Sequence, residues 1–173
     1  MDVSQPLFTI GIKDKVVEEK ERVKKHIAIE ILLNMIIGKS SKLYKELYDK
    51  EILFSAPSLD YEFSRGYAHV LITGQSKKPE EVYKCFKKEV EKMKTNNIDS
   101  KEFNRIKKRI YGEYIKEYND VSDIARMFLA DFFKGINSFE YLEEIVTISE
   151  EYVEQILKDV FVDDKMIISV IKR

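Results

Sequence analysis

The sequence predicts an α+β fold: a small, mostly antiparallel sheet of about four strands with helices packed on one face. Two observations lead there. Strand-like apolar patterns occur in only about four places, helical spacing recurs in about six, and the two kinds do not alternate regularly. The connections between them are short and polar, with no Pro/Gly/Ser-rich linker and no fixed-period repeat, so residues 1–173 read as one domain.

The first element is a strand over Pro6–Lys13, where Phe8, Ile10 and Ile12 point to one face and Leu7, Thr9 and Gly11 to the other. Pro6 at its start costs no ladder bond. A charged link leads to a long helix from about Glu18 to Ile37, apolar enough in its second half to be a central core element, with Gly38 as its C′ residue. Ser40 or Ser41 then caps a short helix bearing Leu43, Tyr44, Leu47 and Tyr48. Leu53–Phe63 and Tyr67–Thr73 form the two strands of a hairpin around Ser64-Arg65-Gly66, and Gly74 ends the second strand.

Pro79 suits the first turn of a third helix reaching about Thr95. Asp99 with Glu102 is a capping-box signature for a fourth, with apolar positions Phe103, Ile106, Ile110 and Tyr114. A further helix carries Ile124, Met127, Phe128 and Phe132 and closes at Gly135. After a short segment around Phe139–Ile145, Thr147 and Glu150 offer a second capping box, opening a helix with Val153, Ile156, Leu157 and Val160. Met166–Ile171 is a near-continuous apolar run and reads as a buried final strand.

Composition narrows the function classes. The apolar fraction is 44% and the aromatic fraction 12%, which suits a packed core and not a disordered chain. Thirty Lys+Arg against thirty-one Asp+Glu give a net charge of −1, without the basic surplus a nucleic-acid binder needs. The local basic run at Arg105, Lys107, Lys108 and Arg109 is interleaved with Glu102, Glu113 and Glu117, so it reads as a solvated mixed-charge face. Cys85 is the only cysteine, which rules out an intrachain disulfide; its place beside Val82, Phe86, Val90 and Met93 reads as a packed thiol. No signal-peptide pattern opens the chain, and the most apolar stretch, Ile27–Ile37, is too short to span a bilayer and contains Glu30 and Asn34. The expectation is a cytoplasmic protein that binds neither membrane nor nucleic acid.

No catalytic or metal constellation is visible. A helical zinc site of the H-x-x-E-H kind needs two imidazoles one turn apart, yet His26 and His69 lie on different elements. His26 has Glu30 one turn later but no second histidine. There is no G-x-S-x-G elbow, P-loop or dinucleotide fingerprint. The carboxylate pairs Glu18-Glu19, Glu80-Glu81, Glu143-Glu144 and Glu150-Glu151 sit at helix starts or exposed faces, where they serve the helix dipole and solubility.

Residues 38–82 resemble the C-terminal half of insulinase/pitrilysin-type zinc peptidases, in particular a bacterial branch of small insulinase-like proteins. The match rests on Gly38, Ser41, Leu43, Tyr44, Leu47, Leu53, Gly74 and Gln75, which follow that family's Gly-x-x-Ser-x-Leu-(Tyr/Phe) helix start, Leu-rich turn and post-hairpin tail. The resemblance implies an insulinase/mitochondrial-processing-peptidase-like half-domain. On that basis the zinc and its H-x-x-E-H motif belong to a missing N-terminal half, this chain holds no cofactor, and its partners are that half or a homologous subunit and a peptide substrate.

Family members often place an arginine and a tyrosine against the peptide in a Leu-Arg-x-x-x-x-Leu-x-Tyr window. Here the window runs from Leu47 to Ser55, with Tyr48 at the arginine position and Ser55 at the tyrosine position. Tyr48, Ser55 and the nearest residues of the missing types, Arg65 and Tyr67, are the candidate substrate-binding residues. The alternative implied by the altered pair is a domain of a catalytically inactive, peptidase-like binding or structural subunit. A half-protein should also expose an apolar patch larger than the few hundred Å² usual for monomers, through which it could self-associate.

Overall fold

The computed structural model describes residues 5–172. In chain order these form β1 (Leu7–Asp14), α1 (Arg22–Ile36), α2 (Lys42–Asp49), β2 (Ser58–Phe63), β3 (Ala68–Gln75), α3 (Pro79–Asn96), α4 (Ser100–Glu117), α5 (Val121–Lys134), α6 (Glu140–Thr147), α7 (Glu150–Val160) and β4 (Met166–Ile171). The strands make one sheet in the order β2-β3-β1-β4, with every neighbouring pair antiparallel. The α+β class and the four-stranded antiparallel sheet expected from the sequence are both present.

Alternation on β1 sets the sheet's inner face. Phe8, Ile10 and Ile12 are buried, and their partners Ile72 and Val70 on β3 and Ile168 and Met166 on β4 continue the same surface. Against it lies α1, whose residues Ile27, Ala28, Ile29, Ile31, Leu32, Leu33 and Ile36 are buried, while His26, Glu30 and Asn34 form a half-buried polar stripe. A helix with so wide an apolar surface must be covered on most sides. The sheet covers one side of α1, and α4, α6 and α7 cover others.

Local capping chemistry explains most boundaries. Ser41 caps α2 by accepting from Tyr44 N at 3.0 Å, and Asp99 caps α4 by accepting from Lys101 N and Glu102 N. Gly38 does follow α1, but for a steric reason: a Cβ there would lie 2.6 Å from the Asn34 carbonyl oxygen. Gly135 ends α5 in the left-handed region at φ 72°, where a side chain is costly.

Five expectations change. β2 begins at Ser58, because Pro57 can donate no ladder bond and Leu53 makes only an isolated bridge to Ser76. Gly74 does not end β3, which runs on to Gln75; Gly74 is small because a Cβ would sit 2.9 Å from the Phe8 ring. The segment around Phe139–Ile145 is largely helical, as α6. The cap of α7 is Ser149, accepting from Tyr152 N at 3.3 Å, while Thr147 is the last residue of α6. β4 is not buried: it is an edge strand, and Ile167 and Ile171 point outward from the open face, 70% and 54% exposed.

Candidate functional site

β2 is the other edge of the sheet. Tyr48 stands exposed in the last turn of α2, its ring 5.9 Å from that of Tyr44. Ser55 is exposed in the link between α2 and β2. Arg65 and Tyr67 are exposed in the β2–β3 loop, which Ser64 N closes by donating to the Tyr67 carbonyl at 2.9 Å. The Tyr67 ring stacks on His69 at 5.5 Å, beside a groove of about 640 Å³ bordered by Gly11, Lys13, Val16 and Ile167. Arg65 and Tyr67 share the loop that follows β2, Ser55 lies in the link that precedes it, and Tyr48 belongs to α2.

Beside β2 lies a cleft that local sequence patterns do not announce. Its volume is about 390 Å³. α1 contributes His26 and Glu30, β2 contributes Leu59 to Glu62, and α4 contributes Arg109, Glu113 and Tyr114. His26 Nδ1 is hydrogen-bonded to Tyr141 Oη at 2.8 Å, and the imidazole is packed edge-on against Phe63 and Tyr141. Burial, aided by the Lys134 charge, lowers the His26 pKa from 6.5 to about 4, so the ring is neutral at physiological pH.

Glu30 goes the other way. Burial, and after it the Glu113 carboxylate, raises its pKa from 4.5 to about 7; Arg109 and a long Tyr114 hydroxyl contact of 3.5 Å oppose the rise. Burial likewise holds the Tyr114 and Tyr141 hydroxyls protonated. Arg109 pairs with Glu113 at 3.5 Å and Lys134 with Glu62 at 3.8 Å. Glu30 and Asp60 have no ion-pair partner among the described residues. The available signal was the i, i+4 spacing of His26 and Glu30, which puts both on one face of α1.

No group of three or more His, Cys, Asp or Glu side chains suited to a metal exists among the described residues. No helix among them is long and apolar enough to cross a membrane. At the margin of the cleft, where its Lys134 joins the lining, α5 is unusual. Its one buried residue is Asp131, whereas Val121, Phe132 and Phe133 are 81%, 64% and 77% exposed, with Phe128 and Leu129 exposed beside them.

Residues 10–110, more than half of the chain, match the model of the peptidase M16 inactive domain. The chain belongs to this family. The M16 inactive domain described here is 23% identical over 168 residues to the uncharacterised zinc protease YmfH of Bacillus subtilis (strain 168), covering 96% of this chain and 39% of that protein. Its fold matches an M16-like peptidase of Alicyclobacillus acidocaldarius with a TM-score of 0.91 at 20% identity, over 97% of this chain and 41% of that one. It also matches the inactive peptidase domain of a zinc protease from Bordetella parapertussis with a TM-score of 0.81 at 9% identity, over 100% of this chain and 93% of that one. The M16 inactive domain therefore spans about two fifths of the length of YmfH and of the Alicyclobacillus protein.

Proposed function

We propose that this chain is the non-catalytic half of an insulinase-like zinc-dependent peptidase, forming the chamber wall opposite the zinc site and helping to bind peptide substrate. The face of α5 carries the reading. Val121, Phe128, Leu129, Phe132 and Phe133 stand in water on a helix that buries almost nothing of itself. An apolar face of that kind marks a surface built to be covered. The relative YmfH has more than half its length outside the part this chain matches. The partner assigned to α5 is accordingly an N-terminal half-domain of the same protein or a homologous subunit. In the absence of that partner, two copies would associate through the same face.

On this reading the zinc and the water it activates belong to the partner half. This domain's contribution is to hold substrate. An extended peptide adds to the free edge of β2, its main chain completing the ladder. Tyr48 and Ser55 meet it near one end, offering hydroxyls to its carbonyls and amides, and Arg65 and Tyr67 meet it near the other. Replacement of the family's arginine and tyrosine by Tyr48 and Ser55 favours a second reading, in which the assembled protein binds peptides without cleaving them. An H-x-x-E-H motif in the partner half separates the two.

The test is reconstitution. Alone, the chain should leave a fluorogenic peptide library intact; mixed with a zinc-loaded N-terminal half, it should pair with it and support hydrolysis. Pairing should fail when Phe132→Ser and Phe133→Ser are introduced together. Zinc-dependent hydrolysis by the chain alone, or pairing indifferent to α5, would sink the proposal.

A further inference from the structure

We infer that the cleft between α1, β2 and α4 is a side-chain pocket for a lysine or arginine of the peptide carried on the β2 edge. This inference rests on the edge-binding reading above and deepens it to a substrate class.

Side chains from four elements line the cleft. From α1 come His26 and Glu30; from β2, Leu59 and Tyr61, with Glu62 reaching Lys134 from the strand's other face; from α4, Arg109, Glu113, Tyr114 and, close by, Glu117; from α5, Lys134. His26 is neutral. The two cations are each spoken for, Arg109 by Glu113 and Lys134 by Glu62. What is left over is negative. Glu30 at the floor has, among the described residues, only the 3.5 Å contact from the Tyr114 hydroxyl.

A carboxylate largely withdrawn from water with one weak donor is under-satisfied. The free protein relieves this by holding the proton to about pH 7. A cationic side chain entering the cleft would relieve it better, giving Glu30 a charge-assisted hydrogen bond in a site shielded from solvent. The position suits a peptide side chain, because the cleft opens directly on the backbone of residues 59–62, the strand that would carry the peptide. A side chain on every second residue of an added strand points to that side. An anionic side chain would meet Glu30 and Glu113 and be rejected.

The pH dependence has a definite sign. Binding a cation requires ionised Glu30, so the preference for a basic side chain is present above pH 7 and fades as pH falls below it. The other groups facing Glu30 shift the midpoint without reversing the sign. Glu113 and Glu117 raise it, and Arg109 and Tyr114 lower it.

The experiment uses the 173-residue chain and two blocked pentapeptides, Val-Thr-Lys-Thr-Val and its norleucine analogue, titrated by calorimetry at pH 6 and pH 8. The lysine peptide should bind about tenfold more tightly at pH 8 and show little advantage at pH 6. Glu30→Gln, nearly isosteric, should abolish the preference while leaving norleucine binding in place. Tyr114→Phe removes a donor to Glu30 and should move the onset of the preference to higher pH. Equal affinity of the two peptides at pH 8, or a preference that survives Glu30→Gln, overturns the pocket and leaves edge binding standing. Failure of both peptides to bind overturns edge binding itself, and the pocket with it.

Discussion

Asp14 is a buried carboxylate whose partners come from two other elements. Lys25 Nζ from α1 lies 2.7 Å away, and the Tyr61 hydroxyl from β2 donates to it at 2.7 Å. Removing one member of such a set strands the others in a dry place. Asp14→Ala should cost about 3 kcal/mol in urea unfolding, and Tyr61→Phe about 1 kcal/mol, since the ion pair would remain. Glu30 and His26 set the pH dependence, with opposite signs. The folded state favours protonated Glu30, a contribution complete below the unfolded value near 4.5 and lost as pH rises through about 7. It favours neutral His26, a contribution complete above 6.5 and lost as pH falls through about 4. Between those limits the two slopes partly cancel. Glu30→Gln should therefore raise stability at pH 8 by about 2 kcal/mol and change it little at pH 5, read by denaturant midpoints at the two pH values. A loss of stability at pH 8 would contradict the account.

At the scale of elements, α5 is the outlier. Its start is conventional, with Asp120 accepting from Ser122 N at 2.8 Å and Asp123 N at 3.1 Å. Its end is tied down through the buried Arg22, whose Nη1 donates to the Lys134 carbonyl at 2.7 Å. Little holds it in between, and its phenylalanines stack mainly on one another, Phe128 on Phe132 at 6.3 Å and Phe132 against Phe133 at 5.9 Å. Substituting both Phe132 and Phe133 by serine should alter the stability of the lone chain by no more than about 0.5 kcal/mol, because neither is buried. Gly135→Ala should cost about 1 kcal/mol, from the left-handed backbone and from a Cβ that would meet Glu19 Oε1 at 2.5 Å. Thermal unfolding checks both variants.

For the whole molecule, the most exposed large apolar side chains are those of the α5 face, Ile167 on the outer side of β4, and Phe139 and Val146 on and beside α6. An unpartnered domain of this shape should self-associate in sedimentation velocity as concentration rises, and the paired serine variant of α5 should shift it toward monomer. Unchanged association in that variant would place the sticky surface at β4 or α6 instead.

Much of the fold was legible in the residues themselves. Phe8, Ile10 and Ile12 declared an inner face by alternation, Asp99 and Ser41 declared helix starts by side-chain chemistry, and the apolar second half of α1 declared a central core helix. These signals are local, because a side chain's spacing and its nearest backbone donors do not depend on the rest of the chain. Where a strand sits in the sheet depends on pairings between distant residues. For that reason Met166–Ile171 read as buried, yet as an edge strand it leaves Ile167 and Ile171 in water. The same distinction governs the site. Tyr48, Ser55, Arg65 and Tyr67 are candidates by type and position alone, but only the sheet order makes β2, which Ser55 precedes and Arg65 follows, a free edge. The cleft needed three elements far apart in sequence to close around Glu30 and His26, and their proton affinities follow from the desolvation that only this packing creates.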